Sequence, residues 1–138
     1  RGMSSAASDV YKRQEQVGLL AYSPLAQGTL TGKYLGGQMP QGSRLALFGD
    51  GPLMMRYKGD KTQQAIEMYV NLAKKYEIDP AQLAIQFCNI QPFVTSTIIG
   101  ATTMEQLKTC IDSVDLDITK EIINEIRSIH KEIPNPAP

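Results

Sequence analysis

Apolar residues along this chain follow two different rhythms. Residues 17–22, VGLLAY, form an unbroken apolar run of strand length, and residues 94–99, VTSTII, are rich in β-branched side chains. Both predict strands, and the successive apolar positions of the first predict a strand covered on both faces, as in parallel sheets. Elsewhere the spacing is helical. From about Thr62, the residues Ala65, Ile66, Tyr69, Val70 and Ala73 recur along one face, while Lys74, Lys75 and Glu77 decorate the far end. A second helix starts at Asp79-Pro80, where the carboxylate can accept from orphan N–H groups and proline suits the first turn. Its apolar side is Leu83, Ala84, Phe87 and Cys88.

Turn chemistry sets the boundaries. Pro24 ends the first strand, Gln91-Pro92 stops the second helix and Gly100 ends the second strand. Two overlapping capping boxes follow, Thr102 with Glu105 and Thr103 with Gln106, opening a helix whose inner face is Leu107, Cys110 and Ile111. A last helix from about Thr119 carries Ile122, Ile123, Ile126 and Ile129, and the terminal IPNPAP cannot continue it. Residues 36–59, with GG, MPQG and FGDG, predict a long irregular excursion with a short helix near its end. Loops of that length inside compact domains are usually functional or mobile. Residues 1–14 are small and polar without periodicity, and read as a flexible leader.

The order is strand, glycine-containing loop, helices, strand, glycine turn, helix, helix. That is βα followed by βα, the repeating unit of α/β folds with a parallel sheet. Two strands cannot complete such a fold, because the sheet edges and one face stay uncovered. Something is missing, or something must cover them.

Composition narrows the classes of function. A chain of 138 residues with 42% apolar residues suits one ordinary domain. Fourteen basic and fourteen acidic residues cancel, so no strong field attracts nucleic acid or an anionic membrane. Cys88 and Cys110 lack CxxC spacing and lie far from the single His130, which argues for reduced structural thiols and against a metal site. No segment approaches the roughly 18 apolar residues of a membrane span or resembles a signal peptide, so the chain reads as cytoplasmic.

Three stretches point to a family. AYSPLAQGTLTGKY from Ala21, GSR from Gly42 and IIGATTMEQL from Ile98 closely resemble the C-terminal part of the aldo/keto reductases, within the branch of the bacterial Tas-type proteins and potassium-channel β subunits. The resemblance covers residues 15–138, including the terminal PAP, and leaves out the first fourteen. It implies a (β/α)8 TIM barrel represented here from strand 7 to the C-terminal helix, an incomplete barrel. The sites of such barrels lie at the carboxyl ends of the strands, with phosphate commonly bound after strands 7 and 8. By resemblance, Ser23, Pro24, Leu25, Gln27 and Gly28 would line a nicotinamide dinucleotide, and Tyr22 would stack near its nicotinamide ring. Small residues there let backbone N–H groups reach phosphate oxygens directly, and Lys33 adds a positive charge. Gly100 and Thr102 lead into a helix N-terminus that favours phosphate, and Gln106 matches a polar contact to adenine. Arg44 matches an arginine that grips the adenosine 2′-phosphate, which implies NADP(H) rather than NAD(H).

The chain departs from the family in two respects. Cys110 stands where an asparagine is often found, which puts the adenine contact there in doubt. The family's proton-donating tyrosine, with its lysine, aspartate and histidine, comes from the first half of the barrel; Tyr11 and Lys12 lie in the leader and His130 in the last helix, so no catalytic residue is assigned. Plainer readings stand beside the sharp ones: the glycines as simple turns, Lys33 and Arg44 as surface charges, Thr102 and Gln106 as helix caps. Three functions are carried forward. The first is a fragment of an NADP(H)-dependent carbonyl reductase, inactive alone, behind a foreign leader. The second is an NADP(H)-binding or redox-sensing module without catalysis, and the third a self-associating half-barrel.

Overall fold

The computed structural model describes residues 17–49 and 51–137, so the expected leader lies outside the described residues. The two strands form, but shorter than their apolar runs. β1 is Leu19–Ala21 and β2 is Val94–Thr97, and they pair in parallel as a two-stranded sheet. Leu20 sits opposite Ser96 and Ala21 opposite Thr97, and the Ile98 N–H donates to the Ala21 carbonyl at 2.8 Å. Parallel pairing places both strand exits at one edge of the sheet.

Two-sided burial of the first strand is corrected by the structure. Leu20 is 59% exposed, Tyr22 75% and Val17 55%. Helix α4 packs against β2 from one side, and no second layer of described residues meets the other. The apolar run is cut to a half-covered strand because a two-stranded sheet has nothing to bury its second face against.

Six α-helices lie among the described residues. Two short ones, α1 (Arg44–Phe48) and α2 (Pro52–Met55), break the long excursion. The two long ones that follow, α3 (Asp60–Lys75) and α4 (Pro80–Asn89), start near their expected residues. Asp79 caps α4 as its chemistry requires, accepting from the Ala81 and Gln82 N–H groups. After β2 come α5 (Met104–Asp112) and α6 (Lys120–Glu132), the latter capped by Thr119. Three 3₁₀ segments, Ala26–Thr31, Leu35–Gly37 and Ser113–Asp115, complete the described elements.

Only one of the two overlapping caps on α5 forms. Thr103 is the N-cap and accepts from the Gln106 N–H at 3.2 Å; Thr102 stays outside the helix and donates to the Gln106 side chain instead. One helix start can use one N-cap, and the threonine nearer the helix takes it. The inner face of α5 also differs from expectation. Cys110 is buried and Leu107 half-buried, but Ile111 is 57% exposed.

The core is helical rather than sheet-centred. Leu72 and Ala73 of α3, Leu83 of α4, and Ile122, Ile126 and Ile129 of α6 pack together with Ile118. The isoleucine stripe of α6 therefore faces α3 and α4 as its spacing predicts. Past α6 the tail turns back. Arg56 donates to the Ala137 carbonyl at 2.5 Å, and the buried Thr62 hydroxyl donates to the Pro136 carbonyl.

A polar clasp closes the rim between α3 and α6. Lys75 Nζ lies 2.7 Å from Glu125 Oε1, and the Tyr76 hydroxyl donates to the same oxygen. Hydrogen bonds from Lys75, then Tyr76, hold the Glu125 carboxyl below its ordinary range. A carboxylate with a depressed folded pKa adds stability above its unfolded pKa of about 4.3 and loses it as the pH falls through the folded value. The stability gap between wild type and Glu125→Gln should thus be open at neutral pH and close below about pH 4. Urea midpoints measured across that range check this; a gap that persists to pH 2 would show that the clasp works without charge.

Candidate functional site

Most of the sequence-derived candidates gather at the two strand exits. Past Ala21 the chain enters a segment rich in left-handed backbone: Ser23 has φ 54°, Ala26 48°, Gln27 61° and Gly28 89°. Three of these four are not glycine, and side-chain-bearing residues adopt this region only at a conformational cost. Local bonds hold the segment. The Ala26 N–H donates to the Ser23 carbonyl at 2.9 Å and the Gly28 N–H to the Leu25 carbonyl at 2.8 Å.

Two cations converge on consecutive residues of this segment. Arg44 Nη1 donates to Gln27 Oε1 at 2.7 Å, and Gln27 Nε2 donates to Ser23 Oγ at 3.4 Å. Lys33 crosses Gly28 so closely that a Cβ there would meet Lys33 Nζ at 3.0 Å and its Cε at 3.1 Å. Glycine is therefore required at position 28 twice, by its φ and by the lysine lying over its bare face.

The framework behind these cations is buried. Tyr34 is buried beneath Lys33, whose Nζ stands 5.1 Å from the ring centroid. The Tyr34 hydroxyl accepts from the Leu45 N–H at 3.4 Å, and the buried Ser43 caps α1 by accepting from the Ala46 N–H at 3.3 Å. Both contacts fix the backbone on either side of Arg44. Tyr34 and Ser43 were missed from sequence. An aromatic beside the lysine and a serine before the arginine were visible, but not their burial.

The other candidates divide. Pro24 turns away from the exit toward an apolar groove shared with Leu30, Tyr69, Leu83, Phe87 and Cys88. Tyr22 stands exposed at the end of β1, and Leu25 is half-buried. At the β2 exit, Gly100 has open space where a Cβ would project, so its own surroundings leave room for a ligand. Thr102 donates through both its N–H and its hydroxyl to Gln106 Oε1, each at 3.0 Å. Those contacts are local, and no hydrogen bond among the described residues joins them to the Arg44 group.

Cys88 and Cys110 are unpaired thiols, and burial pushes both pKa values up, with Asp79 adding to the effect on Cys110. His130 is exposed in the last turn of α6, away from the strand exits, and Tyr11 and Lys12 lie outside the described residues. No helix among the described residues is long and apolar enough to cross a membrane.

Comparison with known proteins bears directly on these motifs. The family model described as "Aldo/keto reductase family" matches residues 5–131, a span that begins inside the segment read as a leader. The chain belongs to the aldo/keto reductase family. It is 49% identical to Protein tas of Escherichia coli over 124 residues, which cover 90% of this chain and 35% of that protein. A probable voltage-gated potassium channel subunit beta of rice is 35% identical over 120 residues, 86% of this chain and 37% of its own length. An aldo-keto reductase of Babesia bovis is 38% identical over 118 residues, 83% of this chain and 41% of its own. This aldo/keto reductase chain thus spans little more than a third of the length of these curated relatives. The matches agree with the branch to which the motifs pointed.

Proposed function

We propose that this chain forms the part of an aldo/keto reductase barrel from strand 7 to the C-terminal helix, and that this part holds NADP(H). The observation that carries the reading is the convergence of Arg44 and Lys33 on the left-handed Gln27–Gly28 segment at the strand exits. A phosphate-bearing ligand needs cations and close backbone approach together, and this segment offers both. Arg44 would hold the 2′-phosphate as a fork of donors, Lys33 would add charge, and Ser23, Leu25 and Gly28 would line the ligand. The β2 exit, with Gly100, Thr102 and Gln106, would receive its adenosine end.

When bound, the cofactor would supply a hydride to an aldehyde or ketone. The intact reductase would make alcohols from small carbonyl compounds, whose identity lies with loops this chain does not contribute. Alone, the chain would bind without turnover, since the described residues bring no tyrosine, lysine, aspartate and histidine together at the strand exits. Steady NADPH oxidation by the purified chain with a panel of aldehydes would refute that.

Titration of the 138-residue chain with NADPH, followed by fluorescence, tests the cofactor reading. NADPH should bind more tightly than NADH, and Arg44→Ala should weaken NADPH about tenfold or more, as expected for one charge-assisted contact to phosphate. Equal affinity for the two coenzymes in the wild type would sink the assignment of Arg44. The same titration examines the reading as a binding or redox-sensing module, because saturable binding without turnover is what such a module requires.

A separate observation favours self-association. Leu20, Tyr22, Ile98 and Ile99 are exposed apolar side chains on or beside a two-stranded sheet with open edges. A second copy could cover them. Sedimentation showing only monomer at high concentration would exclude this reading.

A further inference from the structure

The group at the β1 exit contains one link that phosphate binding does not itself demand. Gln27 joins Arg44 on one side to Ser23 on the other, at 2.7 Å and 3.4 Å. We infer that Gln27 is a positioning residue that latches the Arg44 guanidinium over the β1 exit, and thereby sets how strongly this chain prefers NADPH to NADH. The inference rests on the dinucleotide reading above and adds to it the residue through which Arg44 acts.

Three features support the latch. First, Arg44 is held at both ends. Tyr34 and Ser43 fix its backbone, while Gln27, seventeen residues away in sequence, fixes its charged head. A free arginine loses much rotamer freedom when it grips a phosphate, and a latched one has lost it already. Second, the latch is neutral. An amide oxygen orients the guanidinium without cancelling its charge, and the bond uses one of five N–H donors, leaving others to meet a phosphate. Among the described residues no ion pair joins Arg44 to a carboxylate. Third, the latch residue is placed by backbone that is costly to form. At φ 61°, Gln27 sits between Ala26 at 48° and Gly28 at 89°. This left-handed run puts the Gln27 side chain toward Ser23 and Arg44 while Lys33 covers Gly28 next to it.

Two substitutions separate orientation from charge. Gln27→Ala removes the latch but keeps a Cβ, so the left-handed backbone carries a similar penalty. Gln27→Glu keeps an acceptor in reach and adds the charge that the amide avoids. Each is titrated with NADPH and with NADH, beside wild type, Arg44→Ala and the double variant Gln27→Ala/Arg44→Ala. For Gln27→Ala, NADPH affinity should fall about threefold to tenfold, the cost of ordering one long side chain, and NADH affinity, which has no 2′-phosphate for Arg44 to meet, should fall by clearly less. Gln27→Glu should fall further, by about tenfold or more, because its carboxylate pairs with Arg44 in competition with the phosphate. The double variant should bind NADPH no worse than Arg44→Ala, since two residues acting through one contact are not additive.

A merely structural role would lower both coenzymes alike or make the double variant additive, and either result overturns the latch. A second readout needs no ligand and no comparison of affinities. The Arg44 Nε–Hε resonance in NMR spectra should shift in Gln27→Ala, and an unmoved resonance in a folded variant also overturns it. If wild type binds neither coenzyme, the dinucleotide reading fails and the inference falls with it. If wild type prefers NADPH but Gln27→Ala does so equally, the reading stands and only the latch is lost.

Discussion

Ile122→Ala is expected to cost about 2–5 kcal/mol of folding stability, the range for emptying a large aliphatic site in a packed core. Ile122 is 2% exposed and belongs to the cluster formed with Leu72, Ala73, Leu83, Ile118, Ile126 and Ile129. Its removal leaves a void between three helices, and α3 and α4 can collapse only partly onto α6 because their caps and turns hold them. The substitution should lower the urea midpoint without changing the slope, since native and unfolded states keep similar surface. Ile111→Ala on the exposed face of α5 serves as the control and should change stability by no more than about 0.5 kcal/mol. If the two isoleucines cost the same, the helical core described here does not hold the chain together.

Gly32→Ala is expected to destabilise by about 2–4 kcal/mol, combining a left-handed backbone penalty with overpacking. Gly32 has φ 79°, and its added Cβ would lie 3.1 Å and 3.2 Å from the two methyl carbons of Val70. Val70 is buried in α3 and stiff at its branched β-carbon, so neither methyl yields easily. Relief therefore requires α3 to move away from the segment that carries Lys33 and Tyr34, so the proposed NADP(H) binding should weaken along with stability. Gly36→Ala isolates the two terms. Gly36 also has a positive φ, 67°, but nothing lies within 4 Å of its added Cβ. It should show only the backbone penalty, about 1–2 kcal/mol, and the difference between the variants measures the clash with Val70. Equal losses at the two glycines would mean that the contact between Gly32 and α3 is loose.

The link between fold and site runs through this same junction. Thr29 is buried in a segment that packs on α3 and α4, the turn after the buried Tyr34 packs on α3, and Tyr34 in turn holds α1 and Arg44 through its bond to the Leu45 N–H. The long helices thus support the segments that carry the candidate site. On the proposed NADP(H) reading, substitutions that loosen α3 should consequently appear first as weaker coenzyme binding and only later as unfolding.

What the sequence determined by itself is what can be settled within a few residues. Asp79 caps α4, Thr103 caps α5 and Thr119 caps α6, each through a bond that spans two or three positions. The stripe of Ile122, Ile126 and Ile129 follows from helical spacing alone, and the three quoted motifs were sufficient for the family. The tertiary structure decided everything that depends on which segments meet. Leu20 is bare because no second layer covers its face of a two-stranded sheet. Ile111 is exposed although its spacing suits an inner face, whereas Ile85, outside the expected apolar side of α4, is almost fully buried. The bond from Arg44 to Gln27 spans seventeen residues, and the tail returns to Thr62 from seventy-four residues away. Helix caps and stripes are written in neighbouring residues because their partners are local. Burial and long-range bonds have partners chosen by packing, and packing is a property of the whole chain.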